Sequence, residues 1–393
     1  MIYVCAFIVS TLLIYCSGRC RGSLRAALVI VGVLIPCILA GVRDKTVGVD
    51  VMTYAYWQFL DAGSSGFKDF IARNASLSAP GWNVMTWVVC HYTKNLAEYL
   101  TVIELICAIP IYCAISRLAP KGSEWAGWLV WLLLFYAFSM NGMRQSVAIG
   151  FTLLAYEGVR DRRPFYFLIL IGLGCLFHQT AIVGLLMWPM NSLVGSVKQK
   201  SPFMGKWQSL LVVAIVLATF LVLVAFGGQL VVKLSVLKES YSYQVNHIGG
   251  GDVSWAYIFL LVVISLAWTS VKNSKFGDEA ASPGLSDQKS FKSKVSYTSS
   301  AFGFQDLGVM LAFASIGCLL YQLNLVADTL GRLGAYFTVL SIPATSLMTS
   351  FGRRTTNGTM IMLVGCAAFF TVMNLYMGKS GVWPYTSTIL GIG

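Results

Sequence analysis

The sequence predicts an all-α fold: a polytopic integral membrane bundle of about 12 membrane elements, read as a single domain over residues 1–393. Three observations predict it. Hydrophobic residues make up 57% of the chain and charged residues 11%, far from the balance of roughly a quarter charged residues in soluble domains. Runs of about 20 apolar residues, the length that crosses a hydrocarbon core about 30 Å thick, recur throughout. The loops between these runs alternate between rich and poor in Lys and Arg.

The apolar segments fall at 2–17, 24–42, 81–92, 97–117, 124–140, 145–159, 164–177, 179–191, 207–228, 253–271, 305–325, 332–350 and 358–377. Each should be helical, because lipid offers no partner for a backbone N–H or C=O. The first has no basic residue before it and Arg19, Arg21 and Arg25 after it, the reverse of a cleavable signal peptide, so it reads as a retained span entering from outside. Segment 81–92 reaches only about 18 Å at 1.5 Å per residue and reads as re-entrant or interfacial. Segments 164–177 and 179–191 form a helical hairpin, two short spans or one long span, each of which leaves His178 in the outer half.

Loops 17–25, 117–124, 158–163, 198–206, 272–304 and 352–357 carry 18 of the 28 lysines and arginines, and the alternate loops carry half that number. The bias assigns the first set to the cytoplasm and both termini to the outside. The net charge of +12 therefore reports topology, not nucleic-acid binding. Residues 43–80 become an outer loop, 229–252 a second outer loop, and the Ser-, Lys- and Gly-rich 272–304 a flexible cytoplasmic loop. Most of the ten cysteines lie inside apolar stretches without paired metal spacing and read as small buried hydrophobes. Neither a metal site nor a cofactor site is assigned.

Ionisable groups where membrane helices end are costly without a partner or a substrate. Arg43, Asp44, Lys45 and Asp50 follow the second apolar run, Arg144 and Gln145 open a helix, Arg332 opens another, and His178 sits at an outer turn, all on the predicted outer side. Simpler roles exist for each. Arg43 could snorkel or pair with Asp44 or Asp50, and Arg144 and Arg332 could be helix-end anchors. His178 could be a satisfied core histidine, Glu104 a neutral or paired group inside the bundle, and Asp50 an N-cap for the following stretch. That stretch, Val51 to Leu60, places Met52, Tyr56, Phe59 and Leu60 near one face and reads as an amphipathic surface helix. Trp57, Trp82, Tyr241, Tyr243, Trp255, Trp383 and Tyr385 read mainly as an interfacial aromatic belt, with stacking on sugar rings as the alternative.

GVRDKTVGVDVMTY (41–54) resembles the Arg, Gly-x-Asp, Tyr signature of the EpsG/Wzy-type polysaccharide polymerases, and NGMRQSVAIGFTLLAY (141–156) resembles their Arg-Gln helix start. CLFHQTAIVGLL is similar to their Phe-His element, and DTLGRLGAYF and VWPYTSTIL to their late Arg-aromatic and Pro-Tyr segments, in the family's order from about residue 40 onward. The chain departs at Ser78, Ala79, Pro80, Gly81, where the family often has an acid before Pro-Gly; Glu104 is a candidate replacement.

The resemblance implies a GT-C-like membrane glycosyltransferase with an outward-facing cavity in a bacterial cytoplasmic membrane. It would transfer a growing glycan from undecaprenyl pyrophosphate onto a new lipid-linked repeat unit outside that membrane. Donor and acceptor are lipid-linked glycans in the bilayer; a chain-length regulator and a flippase are the implied protein partners, and nucleic acid is not one. Arg43, Arg144, Gln145, Arg332, Tyr54 and Tyr336 are the expected substrate- and pyrophosphate-binding residues, since arginine stays charged and forks onto phosphate. His178, Asp44, Asp50 or Glu104 would take the proton from the attacking hydroxyl. An O-antigen-type ligase, or a lipid-glycan flippase or transporter, are the alternatives. The absence of a Gly-rich phosphate loop at a strand–helix junction agrees with a reaction that needs no nucleotide sugar.

Overall fold

A computed structural model describes residues 2–75, 79–196, 252–280, 290–351 and 355–393, and the backbone alone for 193–196, 273–280, 290–302 and 328–329. The segment 207–228, the loop 229–252 up to residue 251, and Tyr241 and Tyr243 lie outside the described residues. Among the described residues the fold is helical, with one isolated β-bridge between Ser387 and Ile392. Five helical stretches are long and apolar enough to cross a membrane: Gly22–Gly41, Leu96–Leu118, Trp255–Lys272, Gly303–Leu325 and Thr356–Tyr376. Where the sequence reads as one domain, the chain groups into two compact units, Met1–Leu185 with Cys366–Gly393, and Leu186–Gly365.

The first unit holds α1 (Ile2–Ser17), α2 (Gly22–Gly41), α3 (Tyr56–Ser64), α4 (Phe67–Arg73), α5 (Pro80–Thr93), α6 (Leu96–Leu118), α7 (Glu124–Leu134), α8 (Tyr136–Ser139), α9 (Met143–Arg160) and α10 (Pro164–Phe177). Pro36 lies inside α2 and has no N–H, which leaves the carbonyl of Gly32 without its intrahelical donor. Ser10 Oγ donates to that carbonyl at 2.6 Å, and the Trp128 indole donates to Ser10 Oγ at 2.7 Å, so one proline ties α1, α2 and α7 together. At its far end α2 runs close to α6: a Cβ on Gly41 would lie 2.7 Å from the carbonyl of Ala97 and collide with Thr101. The last carbonyls of α2 are satisfied from far along the chain, Leu39 by the Tyr385 hydroxyl at 2.9 Å and Val42 by the Ser387 hydroxyl at 2.5 Å.

Residues 378–393 therefore lie across the loop that leaves α2. The Gly48 N–H donates to the Gly381 carbonyl at 2.8 Å, and the Asp44 N–H to the Thr386 carbonyl at 3.0 Å. Gly48 adopts φ of 88°, and a Cβ there would lie 2.8 Å from the Met140 carbonyl. Gly48→Ala should cost at least about 1–2 kcal/mol from backbone strain alone, read as a lowered unfolding midpoint of the reconstituted protein; an unchanged midpoint would show that this crossing does not carry stability.

The helices of the first long loop pack with their neighbours into a small core of Val51, Ala55, Ala62, Phe70, Trp82, Cys90, Tyr99 and Met143, with Tyr54, Tyr56, Phe59 and Phe177 packed against it. Two sequence readings change here. Val51–Ala55 is a π-helical turn, which shifts the phase of α3, so Val51, Ala55, Gln58 and Ala62 face inward while Met52 and Leu60 are exposed. Trp82 is fully buried and donates to Gln58 Oε1 at 2.9 Å, so it belongs neither to an interfacial belt nor to an open stacking surface. Tyr385 is likewise buried, whereas Trp57, Trp255 and Trp383 are exposed. Segment 81–92 is an ordinary α-helix, α5, whose Trp82, Thr86 and Cys90 face that core.

The second unit contains α11 (Met187–Ser196), α12 (Trp255–Ala280), α13 (Ser290–Leu320), α14 (Asp328–Gly331), α15 (Ala335–Thr338) and α16 (Ser341–Thr349), and α17 (Thr356–Phe370) leads back into the first unit at Cys366. Helical backbone enters the polar stretch 272–304 from both sides, to Ala280 and from Ser290. Gly317 and Gly334 let α13 and the turn before α15 approach backbone to backbone, a contact that larger residues would block.

Candidate active site

Two neighbouring clusters in the first unit gather half of the candidate residues. The inner one holds two buried charged residues, Arg43 and Glu104. Arg43, only 5% exposed, donates through Nη2 to the Met140 carbonyl at 3.2 Å and touches Met143 Sδ at 3.9 Å, while its Nε has no hydrogen-bond partner. Glu104, 1% exposed on α6, accepts from Ser139 Oγ at 2.6 Å. Burial pulls the Arg43 guanidinium below its ordinary value, and the Glu104 carboxylate opposes that shift most strongly. Arg43 thus answers to Glu104 across the bundle, not to Asp44 or Asp50 beside it in sequence.

The outer cluster surrounds Tyr54. Arg144, in the first turn of α9, places its guanidinium 4.8 Å from the centroid of the Tyr54 ring. Asp50 and Arg144 are the two charged side chains that act on the Tyr54 hydroxyl. Burial pushes this phenol far up, Asp50 pushes it further and Arg144 opposes, so Tyr54 keeps its proton at neutral pH. Asp50 stands before the π-helical turn but makes no side-chain cap bond, so its carboxylate serves this array and does not cap a helix. The Tyr54 ring meets Trp82 edge-on at 6.1 Å, and Trp82 meets Tyr99 at 6.5 Å, which backs the array with aromatic surface.

Asp44 is engaged elsewhere. Its Oδ1 accepts from the Thr388 N–H and from the Thr388 hydroxyl, each at 2.8 Å. Those bonds, the backbone one first, hold its carboxyl below the usual carboxylate range. Gln145 follows Arg144 and is buried. His178 ends α10 in extended conformation, its Nδ1 hydrogen-bonded to Thr180 Oγ1 at 2.6 Å. Its neighbour Phe177 packs on the first-loop core and stacks on Phe151 of α9 at 5.9 Å.

The opposite end of this unit carries ordinary ion pairs, Arg25 with Glu124 at 2.7 Å and Arg117 with Glu157 at 2.9 Å. In the second unit Arg332 is exposed at the turn before α15, and Tyr336 is buried one turn on. Arg332 acts electrostatically on Tyr257 and Tyr321, whose rings stack at 3.3 Å. Gln322 joins Ser254 through its N–H at 3.0 Å and its carbonyl at 3.3 Å, and Asn324 donates to Ser254 Oγ at 3.2 Å.

Sequence reasoning missed Asn141, Ser139, Gln322 and Thr388. The Asn-Gly pair ahead of Arg144 is a readable turn signal, but nothing local marks Thr388 as the partner of a loop that begins near residue 43.

A model of the EpsG family matches residues 26–387, nearly the whole chain and all of the residues above except Arg25 and Thr388. The chain belongs to the EpsG family. Comparison with curated proteins and with solved structures gives no match. Membership in EpsG carries a polysaccharide-polymerase-like, glycosyltransferase-like role, and the apolar helices are those of a membrane protein. In this EpsG chain the matched span begins inside α2 and ends at Ser387, so the 378–393 segment that covers the first loop is largely part of the family pattern.

Proposed function

We propose that the protein polymerises undecaprenyl-pyrophosphate-linked oligosaccharide repeat units on the outer side of a bacterial cytoplasmic membrane. The observation that carries this reading is the Arg144–Tyr54–Asp50 array beside the buried Arg43 and Glu104. It sets a cation for phosphate against a carboxylate in a half-buried place, where electrostatic stabilisation is strong. The full bundle would have about 12 membrane elements in a GT-C-like arrangement with an outward-facing cavity and both termini outside.

In the proposed reaction a hydroxyl of the acceptor sugar attacks the anomeric carbon of the donor glycan. The bond from that carbon to the pyrophosphate oxygen breaks, and its electron pair leaves with undecaprenyl pyrophosphate. Arg144 at the start of α9 holds the departing charge, helped by the helix N-terminus. Arg332 is the second pyrophosphate-binding arginine, and Gln145 and Tyr336 support the two arginines. Asp50 or His178 takes the hydroxyl proton. Arg43 with Glu104 holds the loop that presents Asp50, and Asp44 fastens that loop to Thr388. A chain-length regulator and a flippase are the proposed protein partners.

Reconstitution into vesicles with labelled lipid-linked repeats tests the reading. A ladder of products is expected. A single transfer to another acceptor would make the protein a ligase, and label crossing the bilayer with no new glycosidic bond would make it a transporter; either result ends the polymerase assignment.

A further inference from the structure

Three chain segments far apart in sequence meet at one side chain. The Val49 N–H donates to Asn141 Oδ1 at 2.6 Å. Asn141 Nδ2 donates to the Ala137 carbonyl at 3.0 Å and also to the Ser380 carbonyl. The amide therefore uses its oxygen on the first loop, one of its two hydrogens on its own turn, and the other on the 378–393 segment, which fixes its orientation by its partners. Val49 precedes Asp50, and Asn141 stands three residues before Arg144, so the same amide grips both loops of the candidate site. The surroundings are built for that crossing: Gly48 and Gly381 take positive φ where they pass each other, and Ser380 Oγ is fastened to Asn374 Oδ1 at 2.7 Å.

We propose that Asn141 is a positioning residue that sets Asp50 against Arg144, with the Ser380 carbonyl as its third anchor. Its effect on turnover rests on the polymerase reading; its effect on the loops does not. Asn141→Asp is nearly isosteric and keeps an oxygen for the Val49 N–H. It replaces both N–H donors by an oxygen that faces two carbonyls, so the anchors to Ala137 and Ser380 become repulsive.

The test uses the full-length protein in nanodiscs. Hydrogen exchange is expected to rise in peptides covering 44–52 and 379–388 together, with helix α9 unchanged. Turnover is expected to fall roughly tenfold to a hundredfold with KM for the lipid-linked substrate nearly constant, the signature of misplacement without lost binding. Should the variant fail to accumulate, Asn141→Ala, which removes the anchors without opposing the carbonyls, is measured in the same way. Exchange confined to residues near 141, or loosening of both loops with full turnover, overturns the proposal. An Arg144→Ala protein with normal extension would remove the polymerase reading alone and leave the exchange result standing.

Discussion

Arg144→Ala should slow glycan extension by about two to three orders of magnitude, the cost of losing one well-placed donor to charge that develops in a transition state. Arg144→Lys should recover little of it. Lysine keeps the positive charge, but the planar guanidinium that lies 4.8 Å from the centroid of the Tyr54 ring has no counterpart in a compact ammonium. The loss should appear in turnover more than in KM if the arginine acts on departing pyrophosphate. The measurement is the initial rate of ladder growth in reconstituted vesicles, alongside the unfolding midpoint of each variant. A lysine variant at the wild-type rate would show that only net charge is needed, and the stacked geometry would then have no catalytic part.

The second large effect is on stability. Glu104→Leu takes away the buried carboxylate that most favours the charged form of Arg43, so the unfolding midpoint is expected to fall. The same change frees Ser139 Oγ from the carboxylate, although that hydroxyl also donates to the Tyr136 carbonyl at 2.7 Å. Arg43→Met combined with Glu104→Leu should be markedly less damaging than Glu104→Leu alone, since two apolar side chains of similar volume replace the pair. Chemical unfolding in nanodiscs, followed by tryptophan fluorescence, decides between coupling and independence. If the double variant loses the sum of the two single losses, the groups do not act as a pair.

Much of the architecture is legible in the sequence because lipid leaves a helix few alternatives. The runs that predict α1, α2, α6 and α10 agree with the helices to within a few residues, and the Arg-Gln start of α9 is where the local pattern places it. What is not legible depends on contacts between distant residues. Arg43 has acidic neighbours one and seven residues away, yet its charge partner is Glu104 on another helix, selected by how closely Gly41 lets α2 approach α6. Asp44 has no local partner in the sequence, and only the folded chain brings Thr388 to its carboxylate. The inward face of the first-loop helix differs from the one its α-helical pattern predicts because one π-helical turn at Val51–Ala55 moves every later side chain out of α-helical phase. Trp82 looks like surface aromatic material, and only its bond to Gln58 explains how its indole is buried without penalty.

The strap formed by residues 380–388 has a consequence for how the protein is made. Residues 43–50 are synthesised and inserted long before Ser387 and Thr388, yet the carbonyl of Val42 and the carboxylate of Asp44 find their partners only there, 345 and 344 positions later. Closing contacts of such span is slow and comes after the local helices have formed. During translation the first loop is therefore present but unclasped, and a nascent chain already in the bilayer does not yet hold Asp50 and Arg144 in their finished arrangement.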